Sequence, residues 1–179
     1  MLKILDNFLP QEDFEPIQKE VLGSKFPWYY NSSIAKHKEG IDQYQFIHDF
    51  FTTKNPYLNR PLSPHCSLIE PILIKLQPQH LLRVKANLRP RTATHVYSEM
   101  HVDLDMNQLT AIYYFNTSNG WTEFEACGTK IESIANRMVI FSGDKVHCGT
   151  SCTDQHARVV LNINYLPGIT FDDIPYIPD

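Results

Sequence analysis

A run of alternating side chains in the middle of the chain limits the available folds more than any other feature. Between residues 82 and 89, apolar side chains at even positions alternate with polar ones at odd positions, which is the period of a β-strand with one buried face. Further segments of strand length follow at 108–116, 121–125, 130–134, 138–142 and 158–165. Turn residues separate them at Asn119-Gly120, Cys127-Gly128, Ala135-Asn136 and Gly143-Asp144. Asn-Gly is a strong hairpin signal, so we expect the first two segments to form a hairpin.

The first 80 residues have a different character, with two predicted helices. Residues 3–8 fit a short strand, and residues 10–21 fit a helix with acidic side chains in its first turn. A second helix is predicted to begin at a capping box, Ser67-x-x-Glu70. Its apolar stripe consists of Ile72, Leu73 and Leu76.

Helices followed by many short strands with tight turns predict a mainly β fold with flanking helices (α+β). The expected core is a double-stranded β-helix, a jelly-roll barrel of the cupin type. The length suits one domain over residues 1–179, in which the strand and helices of residues 1–80 pack on a barrel core of residues 81–166.

Strand periodicity also assigns side chains to faces, because residues two apart point the same way. In the segment 108–116, one face carries Thr110, Ile112 and Tyr114, whereas the other carries Ala111, Tyr113 and Phe115. In the last strand, one face carries Arg158, Asn162 and Asn164.

Composition excludes several classes of function. The chain has 16 Lys+Arg against 20 Asp+Glu, a net charge of −4, which argues against a nucleic-acid partner. It has no run of about 20 apolar residues, the length that a membrane span requires. The start has no signal-peptide pattern, and the four cysteines lack the spacing of a disulfide framework, so we expect reduced thiols and a cytoplasmic location.

Two histidines and one carboxylate form a candidate metal site. In His101-Val102-Asp103, positions i and i+2 of a strand would turn both side chains toward one ion. The pattern alone is weak, because His37-Lys38-Glu39 repeats it in a polar segment. Its support is His147, which follows the predicted strand 138–142 and a tight turn. Two histidines and a carboxylate leave coordination positions open, which suits non-haem Fe(II) and oxygen chemistry.

Four stretches then carry a resemblance: MHVDLD, TAIYYFNTSNGWTEFE, NRMVIFSGDKVHCG and ARVVLNINY, in this order within residues 81–166. Together they resemble the Fe(II)/2-oxoglutarate-dependent dioxygenase superfamily, most closely its prolyl-4-hydroxylase-like branch. The N-terminal LKILDNFLPQEDF also looks like the usual entry into that barrel.

The resemblance implies a role for each matching residue. His101, Asp103 and His147 match the iron ligands. Arg158 matches the basic residue that pairs with the distal carboxylate of 2-oxoglutarate, and Tyr114 matches a tyrosine that hydrogen-bonds to the same carboxylate. A further cosubstrate contact is implied for Asn87. The implied cofactors are Fe(II), 2-oxoglutarate as cosubstrate, and O2.

The implied activity is hydroxylation coupled to decarboxylation of 2-oxoglutarate, on a peptide or a small molecule. Asp103 favours hydroxylation over halogenation, since related halogenases carry a small residue at that position. The alternatives are the same fold acting on a small molecule or nucleobase, a non-catalytic metal-binding barrel, and a cupin-like zinc or iron protein without 2-oxoglutarate. Specificity is expected in the loops at 31–40, 52–64 and 105–107, and the oligomeric state is not fixed by the sequence.

Other interpretations compete for some of these residues. His147, Cys148, Cys152 and His156 could form a zinc site, although their spacing matches no common zinc motif. Tyr114 also fits an ordinary core tyrosine, and Asn87 a structural polar residue. A local basic run favours a solvated strand face, with recognition of an acidic or phosphorylated substrate as the alternative. That run consists of Arg83, Lys85, Arg89 and Arg91.

Overall fold

A computed structural model describes residues 2–32, 44–53, 63–104 and 108–168. This part of the chain contains ten β-strands, two α-helices and one 3-10 helix. The helices are α1 (Gln11–Val21), the 3-10 helix (Cys66–Ile69) and α2 (Glu70–Leu76). The first five strands are β1 (Leu2–Leu5), β2 (Tyr29–Asn31), β3 (Gln45–Thr52), β4 (Pro78–Pro90) and β5 (Leu109–Tyr114). The other five are β6 (Ser118–Phe124), β7 (Thr129–Ser133), β8 (Arg137–Ser142), β9 (His147–Gly149) and β10 (Ala157–Pro167).

The strands form two antiparallel sheets that face each other. The major sheet has the order β1-β8-β5-β10-β4-β3-β2, and the minor sheet has the order β7-β6-β9. Sequence neighbours are often not sheet neighbours, as in the placement of β10 between β5 and β4. The predicted jelly-roll architecture with flanking helices is therefore confirmed.

Alternation along the strands separates two apolar layers. One face of the major sheet packs on α1 and α2, where the fully buried side chains include Val21, Ile72, Val84, Leu161 and Ile163. The second layer lies between the sheets and consists of Ile112, Tyr114, Phe124, Ile131, Val139, Phe141 and Val160. The assignment of faces from strand periodicity is confirmed, since Ala111, Tyr113 and Phe115 belong to the helix-side layer.

The capping-box prediction is wrong. The 3-10 helix already spans Ser67, so α2 begins three residues later, at Glu70, and has no side-chain cap at its N-terminus. Pro71 explains the change, because its ring fixes a φ suited to the first turn of an α-helix and it has no N–H to be capped there.

The predicted hairpin at Asn119-Gly120 is also wrong. Both residues lie inside β6, and β5 and β6 belong to different sheets. The register of β6 with β7 shifts between Ser118 and Trp121, which marks an irregularity at this position. A Cβ on Gly120 would lie 2.7 Å from Cδ of Arg158 and 2.7 Å from the carbonyl oxygen of Ser151. Close approach of other chain segments, rather than a turn, therefore requires this glycine.

Three other predictions concern local geometry. His101 is not part of a regular strand, because its backbone forms a single antiparallel bridge with His147 and Asp103 lies in a bend. The turn at Gly143-Asp144 and the one at Cys127-Gly128 are confirmed, and Gly128 has a φ of +60°. His37, Glu39 and most of the predicted loops lie outside the described residues.

Within the described ranges, no helix has both the length and the hydropathy needed to cross a membrane.

Candidate metal centre and anion pocket

Three side chains converge between the two sheets: His101, Asp103 and His147. Their potential ligand atoms all lie within 4.8 Å of one another. Nε2 of His101 is 3.8 Å from Oδ1 of Asp103, and Nε2 of His147 is 3.9 Å from Oδ2. The two histidines are brought together by paired backbone bonds of 2.9 and 3.0 Å between them. Two chain segments, 101–103 and the one that contains His147, therefore place two imidazoles and one carboxylate around a common point.

The backbone fixes which ring nitrogen of each histidine faces that point. Nδ1 of His101 lies 2.8 Å from the carbonyl oxygen of Glu99, and Nδ1 of His147 lies 3.0 Å from that of Lys145. A carbonyl only accepts, so in the neutral form of each ring Nδ1 carries the proton and Nε2 has the free lone pair. Burial lowers the pKa of His147, which favours the neutral imidazole that a metal requires.

Asp103 is held by a network of donors from β4 and β10. Arg83 donates to Oδ1 at 2.8 Å, whereas Asn162 and Asn164 donate to Oδ2 at 2.9 and 3.1 Å. Only 5% of the Asp103 side chain is exposed. Burial alone would raise the pKa of Asp103, but Arg83, His147 and the two asparagine amides lower it to about 2. The carboxylate is therefore charged and fixed in orientation at neutral pH.

The pocket beside this centre has a volume of about 90 Å³. Its lining includes the metal-ligand candidates and, further along β10 from Asn162, Arg158, which lies opposite Arg89 of β4. Asn162 also lines it, and the Oδ1 atom of that side chain is buried with no hydrogen-bond partner among the described residues. An orphaned acceptor beside the centre fits a bound group that carries a donor, such as a water ligand of a metal.

Arg158 is the most buried cation of the pocket wall, with 4% of its surface exposed. Its Nε donates to Ser133 Oγ at 2.6 Å and its Nη2 to Thr122 Oγ1 at 2.9 Å, so the side chain has a fixed direction. A Cβ on Gly149 would lie 3.2 Å from Nη1, so the glycine leaves that edge of the guanidinium open. Burial lowers the pKa of Arg158, yet a guanidinium stays charged at neutral pH. None of the described carboxylates pairs with the Arg158 guanidinium, so an anionic ligand could provide the negative charge that balances it.

Tyr114 lies behind the pocket wall. It is fully buried, its hydroxyl is 2.8 Å from Thr122 Oγ1, and the Arg158 guanidinium lies 5.4 Å from its ring centroid. Thr122 lines the pocket, whereas Tyr114 is not among the lining residues. The implied contact of Tyr114 with 2-oxoglutarate stays a prediction. Asn87 does line the pocket, and its role also stays a prediction.

The prediction of a solvated basic face is wrong for the three basic residues that lie on β4, although Arg91, just beyond the strand, is exposed. Lys85 and Arg89 line the pocket, and Arg83 contacts Asp103. The physical reason is the register with β10, which sets Arg83 opposite Asn164 and Arg89 opposite Arg158. Arg89 is buried, and its pKa falls to about 10, first through burial and then through the charge of Arg158.

Sequence reasoning missed Thr122 and Ser133 as parts of the site, and it considered Arg83 and Arg89 only as an alternative, for recognition of an acidic substrate. The periodicity of β4 showed that its basic side chains share a face with each other. Only the pairing of β4 with β10 shows that this face points into the pocket.

The residues present fit a divalent metal. Two imidazole nitrogens and one carboxylate form the ligand set typical of non-haem Fe(II) sites with open positions. Each ligand is oriented by an outer hydrogen bond, as metal ligands usually are. Among the described residues, this group alone brings three such atoms close together. Cys148 and Cys152 of the alternative zinc cluster are buried free thiols.

Comparison with known proteins adds information about the fold. No protein-family model and no curated protein matches the sequence. A prolyl hydroxylase from Trichoplax adhaerens, in complex with a hypoxia inducible factor oxygen degradation domain peptide fragment, gives a TM-score of 0.67. The sequence identity between the two proteins is 15%, and the match covers 92% of this chain and 83% of that chain. A prolyl-4-hydroxylase from Pseudomonas putida gives a TM-score of 0.59 at 16% identity, over 92% of both chains.

A third similar structure is SnoN, a non-heme alpha ketoglutarate dependent epimerase from nogalamycin biosynthesis. It gives a TM-score of 0.64 at 12% identity, over 93% of this chain and 76% of that chain. Different reactions therefore occur on this fold. The chain has the fold of the prolyl hydroxylases and other 2OG-Fe(II) oxygenases, as the sequence resemblance predicted.

Proposed function

We propose that this protein is an Fe(II)- and 2-oxoglutarate-dependent oxygenase that hydroxylates a peptide, in the manner of the prolyl hydroxylases. One observation carries the proposal. A single pocket contains both a two-histidine, one-carboxylate set and a buried guanidinium for which the described residues provide no carboxylate. A metal-binding barrel that binds no acidic cosubstrate would leave the buried positive charge of this guanidinium without a partner.

The protein residues divide the work between binding and orientation. His101, Asp103 and His147 would hold Fe(II), while Arg83, Asn162 and Asn164 keep the carboxylate in place. Arg158 would bind the far carboxylate of 2-oxoglutarate through its open Nη1 edge. Thr122 and Ser133 orient the guanidinium, and Tyr114 supports Thr122. When bound together, Fe(II), 2-oxoglutarate and O2 supply the oxidising chemistry that yields succinate, CO2 and a hydroxylated substrate.

The rest of the pocket serves to exclude water and to admit the substrate. Ile112 and Val160 line it between the metal-ligand candidates and Arg158, so the cosubstrate chain would lie on an apolar surface. The similar Trichoplax enzyme holds a peptide fragment, which supports a peptide as the substrate class here. A single oxygenase domain over residues 1–179 and a cytoplasmic location are parts of the same proposal.

The function is tested by succinate release coupled to product formation. Purified protein with Fe(II), 2-oxoglutarate and O2 is incubated with a panel of proline-containing peptides and, separately, with small organic molecules. We expect one peptide to raise succinate release and to gain the mass of one oxygen atom, with no gain in the Asp103→Ala variant. Lys19→Gln, on α1 and remote from the pocket, is the control variant and should keep the activity of the original chain. Hydroxylation of a small molecule alone would contradict the peptide assignment.

A further inference from the structure

A second cavity adjoins the metal pocket at Arg89. It has a volume of about 240 Å³ and is lined by residues 89–93 together with Tyr44 and Ser151. Arg89 lines both cavities, so they share one cationic wall. The volume is ample for a carboxylate or phosphate group, since one molecule of liquid water occupies about 30 Å³.

The charged side chains around this second cavity are both arginines. Arg89 is 5% exposed and directs its Nη1 and Nη2 to the carbonyl oxygens of Gly149 and Val96, at 2.8 and 2.9 Å. Carbonyl oxygens solvate a guanidinium but do not neutralise it. In the described ranges, neither Arg89 nor Arg91 forms an ion pair with a carboxylate. A buried charge of this kind favours binding of an anion.

The backbone around the cavity is fixed. The N–H of Arg91 donates to the carbonyl oxygen of His156 at 3.0 Å, and the N–H of Thr92 donates to that of Cys152 at 3.1 Å. Thr92 Oγ1 lies 2.5 Å from Ser151 Oγ. The Arg91 residue both lines the cavity and is exposed, so its side chain can reach a ligand from solution.

If the proposed function is right, 2-oxoglutarate does not neutralise the positive charges of Arg89 and Arg91. In the proposed function the far carboxylate of 2-oxoglutarate pairs with Arg158, and its other carboxylate together with Asp103 matches the two charges of Fe(II), while Arg83 shares Asp103 with the metal. Lys85 lies opposite Asp49 in the strand register. Arg89 and Arg91 then keep two positive charges that neither the cosubstrate nor a carboxylate of the described residues neutralises, although the whole chain has a net charge of −4. Such local concentration of one sign attracts a ligand of the opposite sign.

We propose that the cavity between Arg89 and Arg91 binds an oxyanion, a carboxylate or phosphate group, carried by the substrate whose other end reaches the metal pocket. This inference rests on the proposed function for the identity of the carrier, whereas the anion site itself does not. An anion site at this position implies that the enzyme prefers substrates that carry an acidic group.

The anion site is tested with sulfate on the full chain loaded anaerobically with Fe(II) and saturated with 2-oxoglutarate, which occupies Arg158. Sulfate is compared with sodium chloride of equal ionic strength. We expect sulfate to raise Tm by about 3 °C beyond chloride. Arg91→Gln should lose at least half of this shift, and Lys19→Gln, which removes an equal charge from α1, should keep it. Absence of a sulfate-specific shift, or a full shift in Arg91→Gln, would overturn the site.

Arg91 is the better residue to change because its side chain is exposed and forms no hydrogen bond or ion pair with the described residues. Arg89 joins β4 to Gly149 and Val96, so its loss could unfold the site rather than empty it.

The substrate assignment is tested by pairs of compounds that differ in one charge. Proline peptides with Glu or Gln next to the proline, and organic acids with their primary amides, are compared for stimulation of succinate release. We expect the acidic member to stimulate at least tenfold more, and this advantage to fall at least tenfold in Arg91→Gln. Equal stimulation by the neutral member would overturn the assignment. Sulfate binding without a response to any acidic compound would assign the site to a free anion instead.

The two proposals fail in different ways. If 2-oxoglutarate does not bind, the proposed function fails, and the sulfate comparison can still be made without cosubstrate. If 2-oxoglutarate binds and sulfate does not, only the anion site fails.

Discussion

Strands β4 and β10 have two faces that differ almost completely in chemistry. The face toward the helices carries fully buried or nearly fully buried apolar side chains: Val84, Ala86, Val159, Leu161 and Ile163. The face toward the minor sheet carries mainly polar and charged ones: Arg83, Lys85, Asn87, Arg89, Arg158, Asn162 and Asn164. The same backbone thus serves a hydrophobic core on one side and a charged pocket on the other.

The helix-side face stabilises the fold, whereas the pocket-side face is suited to binding ligands. Apolar burial contributes roughly 25 cal/mol per Å² to folding, so the helix-side face stabilises the fold. Buried guanidinium groups without carboxylates oppose folding, because desolvation of each charge costs several kcal/mol. The pocket-side face is therefore retained for the ligands that it binds, and substitutions on the two faces should have opposite consequences.

The largest effect on stability is expected on the helix-side face. Leu161→Ala removes a fully buried side chain from the apolar layer, and we expect it to lower the free energy of unfolding by about 3 kcal/mol. Affinity for 2-oxoglutarate, measured while the variant is folded, should change less than about twofold. Denaturant titration measures the free energy of unfolding, and calorimetry measures the affinity for 2-oxoglutarate. Leu22→Ala is the control, because the Leu22 side chain is half-exposed. A large loss of affinity for 2-oxoglutarate with little loss of stability would contradict the division of roles between the two faces.

The pocket-side face should show the reverse behaviour. Arg158→Met removes a buried charge while keeping much of the volume, so the ligand-free chain should be as stable as the original or more stable. Affinity for 2-oxoglutarate should fall at least about 100-fold, because its far carboxylate loses its partner. Calorimetric titration of the Fe(II)-loaded chain measures this affinity, and Arg137→Met, which removes an arginine that pairs with Asp6 and does not line the pocket, provides the control. Unchanged affinity would remove Arg158 from the site.

A smaller effect on metal affinity is expected at the support of Asp103. Arg83→Met removes the donor to Oδ1 but leaves the amides of Asn162 and Asn164 on Oδ2. We expect the affinity for Fe(II) to fall about 10- to 100-fold, as is usual when an outer hydrogen bond to a metal ligand is lost. Competition with a chelator gives the affinity. If Arg83→Met binds iron as well as the original chain, the network around Asp103 serves the fold alone.

The smallest effect lies away from both faces, at the exposed pair Asp6–Arg137. The hydrogen bond from Arg137 holds the pKa of Asp6 below its ordinary value of 3.8. The contribution of the pair to stability is therefore complete above pH 3.8 and is lost as pH falls through the lowered pKa. Because Asp6 is largely exposed, solvent screening limits this contribution to less than about 1 kcal/mol. Urea titrations at several pH values should show a smaller decrease in Asp6→Asn than in the original chain, because Asp103, whose pKa is also lowered, is present in both.

The sequence predicted those parts of the molecule that follow from local periodicity. Alternation assigned the faces of β5 and β10, including the shared direction of Asn162 and Asn164, which the structure places on Asp103. The positions of His101, Asp103 and His147 relative to the predicted strands were sufficient to suggest one metal centre.

The sequence failed where distant segments determine the outcome. The local sequence predicts a turn at Gly120. A glycine is required there because Arg158 and Ser151 lie so close to its backbone that a Cβ would not fit. The basic side chains of β4 read as solvated, but the pairing of β4 with β10 turns them into the pocket. Sheet register connects residues some 70 positions apart, as for Arg89 and Arg158, and no local pattern contains it.

The central claim is that this chain binds Fe(II) and 2-oxoglutarate in one pocket. The most direct test is anaerobic titration of the iron-loaded protein with 2-oxoglutarate, observed by visible absorption. We predict the charge-transfer band of the iron–cosubstrate chelate, saturating at one equivalent and absent from Asp103→Ala. Absence of that band in a folded sample that has bound iron would contradict the claim.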